Sequence, residues 1–561
     1  MKKLILYSLL CMAAFLPFTS CDRLLEEETF GKPTSDELLS KDENMIMLVG
    51  QIYADVKWLH DHWGYWGLNT LTSDEAVCPV RMPGSDWSDN GYWAAMNNHT
   101  WTANDKSFEN VWNKSSQGAV TCNKILATVH SKKDILSEAD YNRYCAELIT
   151  MRSYYYYTLF DCFGRIPYSD DYADSEVPQS EPYEVWSHLI KDLEANAEAL
   201  PLANVPDKAA NYGRATQGLA YALLARLYLN AESYGVTPQN CGLEGIKTQA
   251  DFYTRCIEAC DKIIDSKVYQ IEPDFFTNFK VYNEPSEENI FVIVENGNAS
   301  FDYQDVAGSM ANKLRISLLT LNYCHMQAWN LIEKPWNGFA ARPAFLDRYE
   351  YGVDRRGPCD STLGTRIDFH NDAWGWFLGP VYHPTVTDSI LVMTDKEDMP
   401  AIITKNIRSL TEATPCDGAR LTKYEVEEGS SNKFNENDFV LFRYADVLWM
   451  KAESILRGGE GSIDAVLADP EFQLMRTRVG LLPYGTLSLD EVLDERGREF
   501  AWENIRRRDL IRFGRFNDPS YVEYLECNVG DNYLNWFPIP RLALETAGGR
   551  WSQNEGYSTD M

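Results

Sequence analysis

Residues 216–234 read TQGLAYALLARLYLNAESY, and this stretch decides the fold. Its apolar residues return every three or four positions, which is the spacing of one face of a helix. That face carries Leu219, Ala220, Leu223, Leu224, Leu227 and Ala231. The alanines leave room for a neighbouring helix to approach closely. The stretch therefore predicts an amphipathic helix that packs against other helices.

The same pattern occurs on both sides of this stretch. From Ser180 to Leu200 the apolar residues keep the helical period, and Pro182 suits the first turn of a helix. Phe252 to Ile264 repeats the scheme. Successive helices of this kind are typical of tetratricopeptide-like helix pairs, although the strict repeat of about 34 residues is absent. We predict an all-α fold, a degenerate tetratricopeptide-like helix-pair stack with large irregular loop insertions and a little β structure.

Two regions break the helical pattern, one near residues 60–103 and one near 274–437. Both mix Gly, Pro, Asn, Asp and aromatic residues without a helical period. Long irregular segments in a folded domain usually serve binding, so we predict binding loops in both. Within them, Asn289 to Glu295 has the apolar, β-branched run of a strand. No linker of biased composition divides residues 41–561, which are predicted to form a single domain.

The N-terminus has the features of a lipoprotein signal peptide. Two lysines precede a mostly apolar run, residues 4–18, that is too short to span a membrane. Two small residues then precede Cys21. We predict that residues 1–20 are removed, that Cys21 carries the lipid anchor, and that residues 21–40 form a flexible tether. An ordinary secretory signal with an incidental cysteine is the alternative.

The composition excludes some classes of ligand. A formal charge of -31 disfavours nucleic acid, because a protein that binds phosphates needs a basic face. A neutral ligand, or one held by a bridging cation, fits this charge better. The cysteines follow no disulfide-scaffold spacing, so most are predicted to be buried free thiols.

The two irregular regions are rich in tryptophan. A sugar ring packs its C–H bonds against an indole face, and its hydroxyls need polar partners such as arginine at the rim. The predicted glycan-binding side chains are Trp63, Trp66, Arg81, Trp87, Trp93, Trp329, Trp336, Arg342, Trp374 and Trp376. The pairs around Gly64 and Gly375 rank highest, since glycine beside paired aromatics suits an exposed loop. The alternative for each tryptophan is a place in the core.

No catalytic residue, cofactor or metal ligand is predicted. The sequence lacks a nucleophile elbow, a phosphate loop and a zinc-binding signature. Asp86 to Gly91 begins like a calcium loop, but Asn97 stands where the bidentate glutamate belongs, so we predict a polar turn. A glycoside hydrolase is an alternative, because among 83 acidic residues two carboxylates could face each other across a cleft.

Arginine alternates with acidic residues in the stretch 494–512. Asp494 and Arg498 are four positions apart, and so are Glu503 and Arg507. This spacing brings acid and base together on the surface of a helix. We predict a lattice of surface ion pairs that fixes the last helix.

Five blocks of the sequence, in this order, resemble the SusD/RagB family of outer-membrane nutrient-binding lipoproteins of Bacteroidetes-type bacteria. They are residues 146–168 with FGRIPY at the end, 213–229, 438–453 with RYADVL, 495–512 with ERGREF at the start, and 537–557 with FPIP and QN. The match spans most of the chain. One departure is Ser116, which stands where the family commonly has tyrosine.

The resemblance implies a function as well as a SusD-like fold. It implies a non-catalytic oligosaccharide-binding lipoprotein that is anchored to the cell outer membrane and faces the exterior. It also implies delivery of the captured glycan to a SusC-like, TonB-dependent outer-membrane transporter. A peptide-binding lid of the same kind of transporter is the alternative.

Overall fold

A computed structural model describes residues 42–174, 176–202, 211–295, 316–332, 334–359, 374–386, 388–393, 398–429 and 435–558. Met1–Leu48 and Val49–Met561 are two separate units. The predicted signal peptide, Cys21 and the tether lie outside the described residues, so these three remain predictions.

Helices are the main regular structure of the described chain. The α-helices are α1 Asp42–Gly50, α2 Ala54–Leu59, α3 Tyr65–Leu71, α4 Tyr92–Asn98, α5 Lys106–Ser131, α6 Glu138–Phe163, α7 Pro182–Asn196, α8 Gln217–Leu229, α9 Gln249–Ser266, α10 Ile316–Thr320, α11 Tyr323–Ala328, α12 Pro343–Leu346, α13 Tyr444–Leu456, α14 Ile463–Ala468, α15 Pro470–Thr477, α16 Leu489–Glu499, α17 Arg506–Arg512 and α18 Arg541–Ala547. Short 3₁₀ helices are Gln51–Tyr53, Asp89–Gly91, Ala197–Ala199, Glu232–Tyr234, Phe275–Phe279 and Asn532–Asn535.

The longer helices build the predicted stack. Helix α5 packs against α6, α6 against α7, α8 against α9, and α9 against α13. Helix α7 begins at Pro182 as predicted, and α8 lies in the stretch 216–234. The glutamate before α7 and the threonine before α9 each close a capping box, which satisfies backbone N–H groups that helix starts leave unpaired. The predicted helix-pair stack is confirmed.

The strands are short and pair two by two. They are β1 Ala76–Val77, β2 Ile166–Pro167, β3 Gln179–Ser180, β4 Asn289–Ile293, β5 Ala340–Ala341, β6 Trp376–Phe377, β7 Gly379–Pro380, β8 Val392–Met393, β9 Met399–Pro400, β10 Ile402–Ile403, β11 Arg420–Leu421 and β12 Phe439–Arg443. The antiparallel pairs are β1 with β5, β2 with β3, β4 with β12, β6 with β11, β7 with β10, and β8 with β9.

The β4–β12 strand pair connects the larger irregular region to the helix stack. The predicted strand at 289–295 is β4, which pairs with β12, and Val292 lies opposite Val440. Arg443 ends β12 and is the residue before the first turn of α13. Both predicted loop regions contain strands, and they also contain short helices, which their mixed composition did not indicate.

The charged stretch 494–512 is buried, so the prediction of a surface lattice is wrong. Helix α16 ends at Glu499 and α17 begins at Arg506, so Glu503 and Arg507 do not share a helix. Arg507 lies instead 3.6 Å from Asp161, and Asp494 pairs with Arg348 at 2.6 Å. Arg507 and Asp161 pair inside the fold, whereas Asp494 is half-buried and pairs with an arginine from a distant segment.

The centre of this network is a set of five charged side chains, Glu288, Arg443, Arg478, Glu499 and Glu503, which we call the ion-pair core. Arg443 donates to Glu503 Oε2 at 2.8 Å, to Glu499 Oε1 at 3.0 Å and to Glu288. Arg478 donates to Glu288 at 2.6 Å and to Glu499 at 2.6 Å. Burial raises the pKa of Glu499, but the guanidiniums of Arg478 and Arg443 outweigh it and lower that pKa to about 2.

The described cysteines form no disulfide with one another, and all of them except Cys527 are buried. No helix in that part is both long and apolar enough to cross a bilayer.

Candidate functional site

Three tryptophans from distant segments meet around the ring of His62. The His62 ring centroid lies 6.0 Å from that of Trp63, 6.4 Å from that of Trp87 and 5.7 Å from that of Trp336. The rings of Trp87 and Trp336 are 6.3 Å apart and inclined at 54°. We call Trp63, Trp87 and Trp336 the aromatic ledge. It joins the two predicted binding regions.

The ledge is open to water although its base is buried. Trp336 is 38% exposed, and Trp63 and Trp87 are half-buried. Trp93, which is 1% exposed, lies under them, with its ring 4.5 Å from Trp63 and 5.3 Å from Trp87. Trp93 therefore supports the ledge instead of facing a ligand.

Backbone hydrogen bonds hold Trp63 in place just before helix α3. Its N–H donates to the carboxylate of Asp61, and its carbonyl accepts from Nδ2 of Asn110 at 3.1 Å. The Lys106 ammonium lies over the Trp63 ring, 5.0 Å from the centroid. One face of this indole is thus already shared with a cation.

Trp87 is fixed to the segment that carries Trp336. Its backbone adopts the left-handed region with φ 65°, and its indole Nε1 donates to the Trp336 carbonyl at 2.8 Å. The ring lies directly against Gly338, where an added Cβ would come within 2.4 Å of it. A side chain at position 338 would therefore displace Trp87 from the ledge.

Arg81, predicted to bind glycan, is not displayed on the surface of the ledge. It is 1% exposed, and burial lowers its pKa to about 10. The guanidinium donates to the carbonyls of Asn337 at 3.0 Å, Gly338 at 3.0 Å and Asp417 at 2.6 Å. Arg81 thereby binds its own loop to the backbone beside Trp336.

Arg342 is also structural. It is fully buried, and it donates to the carbonyls of Ala76 at 2.9 Å, Leu71 at 3.2 Å and Asn97 at 3.2 Å, and to that of Glu523. Because these carbonyls accept from its N–H groups, the Arg342 guanidinium is not available to a sugar hydroxyl.

Four predicted tryptophans are in the core, so the expectation that they display their rings to water is wrong. These are Trp66, Trp93, Trp329 and Trp376, none more than 4% exposed. The glycines beside two of them were misread as loop signals. A Cβ at Gly64 would lie 2.3 Å from the Leu59 carbonyl oxygen, and one at Gly375 would lie 1.8 Å from that of Arg356. Close backbone contact requires glycine at both positions.

Trp374 is half-buried, and its carbonyl accepts from Oγ1 of Thr422 at 2.8 Å. Among the described residues its ring does not contact the ledge. It remains a separate candidate for ligand contact.

The turn Asp86–Gly91 supports the ledge through Asp89, whose carboxylate accepts from the indole N–H of Trp93 at 2.5 Å. Across the described ranges, no group of three or more His, Cys, Asp or Glu side chains is placed to hold a metal.

The sequence had not indicated His62 or Lys106 as parts of the site. His62 is adjacent to Trp63 in sequence, and Lys106 lies close to Trp63 in space. This proximity is the only feature that identifies the two residues as parts of the site.

Comparisons with known proteins identify the family of the chain. One family model, described as starch-binding associating with outer membrane, matches residues 57–229, and the SusD family model matches residues 405–557. The chain belongs to the SusD family. It is 23% identical, over 87% of its own length and 84% of the relative's, to the starch-binding protein SusD of Bacteroides thetaiotaomicron.

Solved structures of SusD-like proteins share the fold. The surface glycan-binding protein A of Bacteroides thetaiotaomicron, in complex with laminarihexaose, superposes with a TM-score of 0.69 at 22% identity, covering 91% of this chain and 99% of that one. A SusD superfamily protein from Parabacteroides distasonis gives 0.68 at 19% identity, covering 94% and 100%. The predicted family and SusD-like fold are confirmed. Members of the SusD family bind ligands and do not catalyse, so the prediction of a non-enzyme is confirmed by the family.

Proposed function

We propose that this protein is a cell-surface glycan-binding lipoprotein that captures oligosaccharides on the aromatic ledge. It then delivers them to a SusC-like, TonB-dependent outer-membrane transporter. Cys21 would carry the lipid that anchors the mature chain in the outer membrane, facing the exterior.

The observation that carries the proposal is the ledge itself. Exposed indoles are costly to leave in water unless a ligand covers them, and pyranose C–H faces are suitable partners for them. The indole N–H of Trp87 donates to the Trp336 carbonyl, which fixes the orientation of this half-buried ring. Such preorganisation lowers the entropy cost of binding a flexible chain of sugars.

The relatives support a glycan as the ligand. The SusD relative is named a starch-binding protein, and a structural neighbour is in complex with laminarihexaose. Another neighbour, with a TM-score of 0.66 and 19% identity over 92% of this chain, is a laminarin-binding SusD-like protein. A family description that places its members at the outer membrane supports the proposed location.

Isothermal titration calorimetry on the mature chain carrying Cys21→Ser tests the ligand. A panel of neutral oligosaccharides of different linkage is titrated, with peptides of similar size beside it. We expect one glycan class to bind, and the double variant Trp87→Ala/Trp336→Ala to weaken it more than tenfold. Tyr282→Ala is the matched control, because Tyr282 is an exposed aromatic, at 67%, outside the ledge.

Other outcomes would contradict the proposal. Peptide binding without glycan binding would favour the peptide-binding lid, and new reducing ends after incubation would indicate a hydrolase. Unchanged affinity in the double variant would remove the ledge from the site. Delivery is tested by isolating the lipidated protein from outer membranes of its natural host; failure to bring a TonB-dependent barrel with it would contradict that part.

A further inference from the structure

Strand β11 carries a buried arginine that forms no ion pair with a carboxylate among the described residues. Arg420 is fully buried, and its Nη2 donates to the Pro415 carbonyl at 2.8 Å. Its Nε and Nη1 have no hydrogen-bond acceptor among the described residues. Buried guanidinium groups are ordinarily paired, because a charge removed from water is costly without compensation.

A second buried guanidinium adds to the positive charge. Arg81 and Arg420 both bind the turn at residues 414–417: Arg81 donates to the carbonyls of Thr414 and Asp417, and Arg420 donates to that of Pro415. The Arg81 guanidinium bonds only to backbone carbonyls. Asp417 is the acid beside them, and its carboxylate accepts from the N–H groups of Arg408 at 3.2 Å and Thr414 at 3.1 Å. Two cations and one carboxylate leave a net positive charge inside the protein.

Helix α11 and Asn322, the residue before it, contribute further donors near Arg420. Arg420 lies opposite Phe377 in the β6–β11 pair, and the His325 ring centroid is 5.0 Å from that of Phe377. Burial and the Arg420 charge lower the pKa of His325 to about 3, so its ring is neutral. Its Nδ1 accepts from the Asn322 N–H at 3.0 Å, which places the ring proton on Nε2. That Nε2 has no partner in the described structure, and neither has the amide Nδ2 of the fully buried Asn322.

These side chains present donors only. Asn322 uses its Oδ1 to accept from the Cys324 N–H at 3.0 Å, so its free group is the NH₂. A water molecule accepts about two hydrogen bonds and needs acceptors for its own hydrogens. An anion accepts from several donors at once and also neutralises the excess charge.

We propose that Arg420, His325 and Asn322 bind one small monovalent anion of the chloride class. The anion would connect β11 with α11. Leu321, next to Asn322, accepts through its carbonyl from the N–H of Asn337 at 3.0 Å, so the site adjoins the segment that carries Trp336. The proposal does not depend on the glycan function, and its test needs no glycan.

Bromide is the direct probe, because it replaces chloride and scatters anomalously. Crystals of the mature chain soaked in sodium bromide should show an anomalous peak within hydrogen-bonding distance of Arg420 Nε or Nη1 and His325 Nε2. Density that refines as water without an anomalous signal would overturn the proposal. This measurement uses the unaltered protein, so it holds even if a variant fails to fold.

Thermal unfolding provides the second test. At constant ionic strength, replacing gluconate by chloride should raise Tm by roughly 1 °C for each tenfold increase in chloride above its dissociation constant. Arg420→Met should lose this dependence. Arg342→Met is the matched control, since Arg342 is as buried but has its donors occupied by carbonyls, and it should keep the dependence while lowering Tm. Equal Tm in both salts for the unaltered chain would contradict a chloride site.

Discussion

The aromatic ledge places apolar side chains at the surface, whereas the ion-pair core places charged side chains in the interior. The ledge holds indoles at the surface on irregular segments, fixed by hydrogen bonds to backbone carbonyls such as that of Trp336. The ion-pair core holds buried charges, fixed by charge-assisted bonds such as the one between Arg443, the last residue of β12, and Glu499, the last residue of α16. No residue belongs to both sets. We infer that one region provides recognition and the other stability, so substitutions should separate the two properties.

The largest effect is expected from removing the cation at the centre of the ion-pair core. Arg443→Met leaves Glu288, Glu499 and Glu503 buried with less compensation. We expect the free energy of unfolding to fall by about 3–5 kcal/mol. Urea unfolding followed by circular dichroism measures it, while glycan affinity of the protein that remains folded should stay the same.

Arg255→Met is the control for this prediction. Arg255 pairs with Glu258 at 2.9 Å, and both side chains are exposed. Its loss should change stability by less than about 0.5 kcal/mol. Equal effects of the two substitutions would show that the ion-pair core contributes no more than a surface pair.

Acid should weaken the ion-pair core while the ledge keeps its affinity. The folded-state pKa of Glu499 is about 2, below its value of about 4.3 in an unfolded chain. A lowered folded-state pKa gives stability that is present above the unfolded value and lost as pH falls from about 4.3 to 2. That loss is about 3 kcal/mol for this group. Tm measured from pH 6 to pH 2.5 should fall steeply below about pH 4.3; a flat profile would contradict the pairing.

Local sequence patterns predicted the helices well because a helix depends on neighbours three and four positions away. Pro182 marked the start of α7, and the apolar run at 289–295 marked β4. The site was harder to predict. Trp66 and Trp336 are both tryptophans in irregular sequence, yet one is fully buried and the other is 38% exposed. Which one faces water depends on partners hundreds of residues away, such as the Trp502 carbonyl that accepts from Trp66 at 3.0 Å.

The charged stretch shows the same limit. The spacing of Asp494 and Arg498 indicated a surface pair, but Arg498 donates to the Arg348 carbonyl at 2.8 Å, and Asp494 accepts from Arg348. Periodicity identifies residues on one helix, but it does not say which element covers them. The glycines at 64 and 375 misled for a similar reason, because the carbonyls that exclude a side chain there are not adjacent in sequence.

Moving one ring of the ledge should cost affinity without much cost in stability. Gly338→Ala places a Cβ against the Trp87 ring and forces the ring aside. We expect about a fivefold loss of glycan affinity, since an aromatic contact contributes about 1 kcal/mol. Calorimetry measures the affinity. Gly485→Ala is the control, because a Cβ there meets no heavy atom within 4 Å among the described residues. A fall in stability as large as that of Arg443→Met would contradict the separation of the two regions.

The smallest effect is expected at Trp63, which distinguishes the open part of the ledge from its covered part. Lys106 lies over one face of this indole, and Tyr92 and Trp93 pack within 4.5 Å of its centroid, with the Tyr92 ring tilted at 32°. Trp63→Ala should therefore weaken glycan binding only about twofold to threefold, less than Trp336→Ala, as expected for an indole with little free face. Lys106→Met frees that face and should change affinity by about twofold at most. If Trp63→Ala instead abolished binding while Lys106→Met strengthened it, the ammonium would be a group that the sugar displaces, and the Trp63 face would be the centre of the site.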